Sequence, residues 1–233
     1  MTFSLLPLLQ KSYQLLRQDY SIVFPSIIIY FLVSIFSSFI KLKLDEPLQN
    51  VNSTTQLFIV VFSFVHIYVQ TLIVAMGKSI IEENRIDFVR SLLLSLKKII
   101  TVYAVSLIIL FPTGLLLVVS ARLPVVQYVA MFLVLWFVVI LLFVPIIVIN
   151  DGLGIINTLR KLFLFIRLNN RTFFNYSFYF LGIMLVLFLI NNMFIFIPYI
   201  GENLIFPVLQ GLIGTYLVIL TYTYYRDCNE KVC

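Results

Sequence analysis

Charge is what this 233-residue chain has least of: 11% of its residues are Asp, Glu, Lys or Arg, while 62% are hydrophobic. A soluble domain is about a quarter charged and about half apolar. So little polar surface cannot coat a water-soluble globule, and part of the solvent must be lipid. That excludes a cytosolic enzyme, a nucleic-acid-binding domain and a secreted disulfide scaffold. Cysteine is scarce too, with only Cys228 and Cys233, both in a C-terminal tail expected on the reducing cytoplasmic side. Neither matches a prenylation box, whose Cys is fourth from the end, although Cys228 is placed for palmitoylation in a eukaryotic host. Histidine occurs once, as His66. No cofactor and no metal ligand set is expected.

What is abundant is apolar sequence in long runs, with a mean hydropathy of +1.09. Six runs stand out: 21–40, 56–76, 99–120, 124–149, 172–197 and 203–225, and none contains Lys, Arg, Asp or Glu. Hydrocarbon demands this, because a charge at its centre costs about 2.5–3.5 kcal/mol even on the mildest scale. A helical span of about 20 residues rises about 30 Å and matches the bilayer core. Strands are excluded because the runs are apolar all round and do not alternate. Pro112 and Gly114 predict a kink in the third run. Only Ala121, Arg122 and Leu123 separate the third and fourth runs, which predicts a tight antiparallel hairpin. The first run is too long for a signal core and lacks a cleavage pattern, so the N-terminus is expected to be retained.

The sixteen Lys and Arg divide unevenly between alternate loops. One side holds Lys11, Arg17, Lys78, Arg85, Arg90, Lys97, Lys98, Arg160, Lys161, Arg167, Arg171, Arg226 and Lys231. The other holds Lys41, Lys43 and Arg122. Such a bias in short loops is the positive-inside pattern, and it predicts a multi-pass cell-membrane protein with both termini cytoplasmic.

The basic segments also have a helical period. Leu5, Leu6, Leu9, Tyr13 and Leu16 oppose Gln10, Lys11, Gln14 and Arg17. Phe88, Val89, Leu92, Leu93, Leu96 and Ile99 oppose Arg90, Ser91, Ser95, Lys97 and Lys98. Ile155, Leu159, Leu162, Phe163 and Ile166 oppose Asn157, Arg160, Lys161 and Arg167. Three cationic amphipathic helices lying in the headgroup plane are predicted. The expected fold is all-α: one polytopic membrane domain over residues 1–233, with six transmembrane helices and three cytoplasmic interfacial helices. They form three pseudo-repeats of helix, span, span.

This pattern resembles the six-span membrane superfamily related to the membrane domain of glycerophosphoryl diester phosphodiesterases. The likeness is carried chiefly by Val144 to Phe180, VPIIVINDGLGIINTLRKLFLFIRLNNRTFFNYSFYF, where Pro145, Asp151, Gly152, Arg160, Lys161, Arg167, Asn169 and Asn170 stand at the family's positions. A second stretch, Ile80 to Ile100, IIEENRIDFVRSLLLSLKKII, is similar to the family's second cytoplasmic helix. The resemblance implies architecture only. The phosphodiesterase activity of some relatives belongs to a separate soluble domain, and no catalytic residue is carried over.

Within the spans, Ser63, His66 and Gln70 fall on one helical face and form a candidate polar site, either a path for a proton or solute or a set of interhelical hydrogen bonds. Asn191 and Asn192, with Glu202, are candidates for a polar vestibule, while Gln127 and Gln210 stand isolated. Asp151-Gly152 is no metal motif, because the chemistry of lipid-headgroup transferases needs several carboxylates. Glu82, Glu83 and Asp87 interleave with Lys78, Arg85 and Arg90, as a mutually neutralised helix entry would; Asn84 and Asp87 are candidates to cap it. Asn52-Ser53-Thr54 is a glycosylation sequon on the outer side.

The cationic faces are the functional surface the sequence supports. Lys11, Arg17, Arg90, Lys97, Lys98, Arg160, Lys161, Arg167 and Arg171 are the expected contacts to anionic lipid headgroups, each worth about 1 kcal/mol. The expected role is non-enzymatic: association with membrane lipid or a membrane-protein partner, with no nucleic acid. A small transporter or channel near His66 and Gln70 is the alternative.

Overall fold

The computed structural model describes residues 5–40, 53–120, 124–194 and 205–230. Every regular element among them is helical: α1 (Leu5–Gln18), a 3-10 turn (Tyr20–Val23), α2 (Phe24–Ile40), α3 (Ser53–Glu83), α4 (Phe88–Ser120), α5 (Pro124–Asp151), α6 (Ile155–Leu168), α7 (Asn170–Phe194) and α8 (Phe206–Glu230). Helices satisfy every backbone group internally, which an apolar chain in lipid requires. Four of them contain a stretch long and apolar enough to cross a membrane, within α3, α4, α5 and α8. The count rises to five if α1 and α2, bent by 101° at Asp19, form one broken span. The fold is thus consistent with a multi-pass membrane protein. α7 coincides with the fifth apolar run, and its last turns pass beyond the described side chains. The hairpin at 121–123 and the sequon at Asn52 lie outside the described residues.

The ends of the elements follow local chemistry. Asp19 accepts a hydrogen bond from Ser21 N at 3.0 Å and caps the turn that redirects the chain from α1 into α2. Asn84 closes α3 with a left-handed backbone (φ 57°), a conformation Asn tolerates, and its N–H bonds Ile80 O at 2.9 Å. Asp87 then caps α4, accepting from Arg90 N at 2.9 Å. Ser79 pins this turn, donating to Arg85 O and accepting from Asp87 N, both at 2.9 Å.

One expectation changes here. The basic segment 88–99 is not a separate interfacial helix but the first three turns of α4, continuous with the span that follows. No Gly or Pro stands between Phe88 and Phe111, so nothing interrupts the hydrogen-bond ladder. By contrast, Asp19 divides the first unit and Asn169 the third. Pro112, where a kink is expected, lies inside α4, as Pro145 lies inside α5.

The core sits at the basic end of the bundle. Residues 71–77 of α3, 142–149 of α5 and 217–225 of α8 are buried without interruption, and Leu8, Ile22, Leu162 and Phe165 pack over them from α1, the 3-10 turn and α6. Glycine permits the close crossings. A Cβ at Gly211 would lie 2.7–2.8 Å from Ile27 Cγ1, Cα and N, so α2 and α8 touch backbone to backbone there. Small residues serve this purpose in membrane helices, where packing must replace the hydrophobic effect.

Candidate functional site

Two regions gather the polar side chains. The first lies at the basic end, where α5 turns into α6. Gly152 takes a positive φ of 66°, and its carbonyl accepts from Lys98 Nζ at 2.9 Å. Asp151 beside it accepts from Tyr225 OH at 2.8 Å and pairs with Lys161 Nζ at 2.9 Å. Tyr222 OH donates to Asn150 Oδ1 at 3.3 Å, and Tyr224 OH to Thr172 Oγ1 at 3.2 Å. The tyrosines of α8 therefore tie its end to α5 and α7. The Tyr224 and Tyr225 rings join Phe143, Phe165 and Tyr176 in an aromatic cluster in which Tyr176 and Tyr224 stack at 4.4 Å. Tyr176 OH, fully buried, lies 2.6 Å from Thr221 Oγ1. The run Thr221–Tyr225 drew no notice as sequence, because nothing in a lone span identifies its partners.

This arrangement divides the nine predicted headgroup cations. Lys11 pairs with Asp227 at 2.8 Å, Lys161 with Asp151, and Arg90 with Glu83, while Lys98 is held by the Gly152 carbonyl. These four serve the fold. Arg17, Lys97, Arg160, Arg167 and Arg171 are exposed and, among the described residues, have no ion pair or side-chain hydrogen bond. Lys78 pairs with Glu82 at 3.7 Å and also reaches Ile149 O at 3.3 Å. Between the end of α3 and the start of α4 lies a polar recess of about 510 Å³ whose wall includes Lys78, Arg90 and Lys97 beside Glu82 and Asp87.

The second region lies within the bundle. A cavity of about 340 Å³ is bounded by α2, α3, α5, α7 and α8. Its walls are mostly aliphatic and aromatic, and its polar groups are Ser26, Tyr30, His66, Gln70 and Gln210. His66 and Gln70 meet there, with Gln70 Nε2 3.0 Å from His66 Nε2. If the amide donates, the neutral ring carries its proton on Nδ1, which is buried and, among the described residues, has no hydrogen-bond partner. Leaving such a group unpaired costs about 1–3 kcal/mol. Tyr30 meets the imidazole edge-on at 5.9 Å between centroids.

Ser63 is exposed and does not line the cavity. Gln210, isolated in the sequence, comes to the cavity wall from α8. Ser26 and Thr215 hydroxyls join α2 to α8 at 3.0 Å. The side chains of Asn191 and Asn192, and all of Glu202, lie outside the described residues.

Among the described residues no group of His, Cys, Asp and Glu is placed to hold a metal ion. In comparisons with known proteins, the chain matches no family model, no curated protein and no solved structure.

Proposed function

We propose that this chain is a non-enzymatic membrane protein of six spans that holds anionic lipid headgroups at its basic, cytoplasmic end. The observation that carries the reading is the set of five exposed, unpaired cations: Arg17, Lys97, Arg160, Arg167 and Arg171. They stand beside exposed apolar side chains. α6 buries Thr158, Leu162 and Phe165 against the core, yet leaves Ile156, Phe163 and Leu168 at 74%, 68% and 63% exposure next to Arg160 and Arg167. An amphipathic helix at the headgroup–acyl boundary satisfies both kinds of group at once. In this reading α1 and α6 are interfacial helices, and the start of α4 carries a third basic face into its span. The resemblance to the six-span superfamily would carry this same architecture.

The test is lipid retention. The wild-type chain and a variant with those five cations changed to Gln are purified in mild detergent and compared by native mass spectrometry. Wild type is expected to keep phosphatidylglycerol over phosphatidylcholine. At about 1 kcal/mol per cation, the variant loses at least tenfold of that preference. Equal retention by both chains contradicts the proposal.

A transporter or channel at His66 and Gln70 is the second reading, and the cavity is what favours it. Against it stand the buried residues past the cavity, 74–77 of α3, 143–149 of α5 and 219–225 of α8, a layer about 6–10 Å deep at about 1.5 Å per residue. Cysteine scanning around His66 with a water-soluble thiol reagent separates the two. Reaction from both sides supports a path, and uniform protection removes it.

A further inference from the structure

The cavity has the wrong lining for an ion and the wrong floor for a channel, and both features say what it fits. Among the described residues its wall contains no Lys, Arg, Asp or Glu. A charged guest would therefore lie in low dielectric without a counter-charge, which is strongly unfavourable. The wall is not uniformly apolar either. Tyr30 and Ser26 from α2, His66 and Gln70 from α3 and Gln210 from α8 supply hydrogen-bonding groups, while Val138, Leu142, Phe180 and Met184 from α5 and α7 supply an apolar surface. The polar groups thus come from α2, α3 and α8, and the apolar ones include all those from α5 and α7. Toward the basic end the space stops at Ile73, Leu217 and Val218, behind which Met76, Ile146 and Ile219 are at most 1% exposed. The volume, about 340 Å³, is within the range of about 300–1,000 Å³ typical of small-molecule sites.

We propose that this cavity is a binding site for an uncharged, lipid-soluble molecule with an apolar body and one hydroxyl or carbonyl group. The polar group meets Gln70, Gln210 and Tyr30, and the body lies along α5 and α7. The site is separate from the headgroup surface and does not depend on it.

Gly214 makes the idea testable. It lines the cavity, and a Cβ built there meets only Tyr30, at an ordinary 3.7 Å. Leucine at this position fills the space from a helix already in place. The full chain is reconstituted in phosphatidylcholine vesicles with a medium-chain primary alcohol bearing a mid-chain diazirine, and labelled peptides are mapped after illumination. Expected is saturable labelling of α3 and α8 peptides around His66 and Gln210, reduced at least fivefold in Gly214→Leu. A quaternary-ammonium analogue of the same chain length is expected to label these peptides at least fivefold less.

Should Gly214→Leu not fold, Gln210→Leu carries the test. It reduces labelling by the alcohol but not by the plain alkane diazirine. Three results overturn the proposal: labelling that never saturates, as for a cavity filled by water alone; equal labelling by the ammonium probe; or undiminished alcohol labelling in a folded Gly214→Leu or Gln210→Leu chain.

Discussion

Gly211 and Gly214 lie on adjoining turns of α8, yet an added methyl group meets different surroundings at each. At Gly211 it would press to 2.7–2.8 Å against the Ile27 backbone, which cannot yield without moving α2. At Gly214 it finds Tyr30 at 3.7 Å. Gly211→Ala is therefore expected to destabilise the chain by about 1–3 kcal/mol, and Gly214→Ala to leave it within about 0.5 kcal/mol of wild type. Thermal unfolding in detergent measures both, and equal effects would contradict the close α2–α8 crossing. Ser79 gives a second prediction. Its hydroxyl satisfies Asp87 N and Arg85 O and is 8% exposed as a residue. Ser79→Ala leaves both backbone groups short of a partner, at a cost of about 1–3 kcal/mol, whereas Ser63→Ala at the exposed edge of α3 is expected to cost far less. At this scale the sequence was only partly legible. His66 and Gln70 could be paired because a helix fixes their relative angle. Gln210 could not join them, since that contact depends on how α8 crosses α3.

At the scale of elements, the long apolar helices were the readable part, because an uncharged run of that length has one solution in lipid, a helix. Among the described residues, four or five of the six expected spans meet the length and hydropathy required. Where helices end was less readable. The segment 88–99 has the same composition as α1 and α6, and only the lack of a breaker before Pro112 makes it continuous with its span. Asp19 shows what separation takes, a side chain capping the new turn where the axis bends by 101°. Asp19→Ala is expected to loosen this corner, raising amide hydrogen exchange at Ser21–Val23 and costing about 0.5–2 kcal/mol. Changing Asp87, the cap of α4, is expected to cost a similar amount but to leave exchange beyond Ser95 unaltered, because α4 continues without a break. A band of fast exchange at residues 97–101 of the wild-type chain, with slow exchange on either side, would show two independent helices instead.

For the whole molecule, the central feature is that packing and positive charge coincide at one end. Lys11 reaches Asp227 across 216 residues of sequence, and Tyr225 and Lys161 meet on Asp151, so α1, α5, α6 and α8 converge there. The small charged fraction, distributed along the chain, foretold which segments share that end. It did not foretell that four of the nine candidate cations are held within the protein. Separating them required the acidic and carbonyl partners in space.

The most direct test is sidedness. Both native cysteines are changed to Ser, and single cysteines are placed at Arg17, Arg167 and Asn229 in sealed, right-side-out membrane vesicles with a membrane-impermeant thiol reagent outside. All three are expected to stay unlabelled until the vesicles are opened or inverted, and then to react together. Labelling of any one from the outside while another remains protected would place the basic ends of α1, α6 and α8 on opposite faces of the membrane, and would contradict the account.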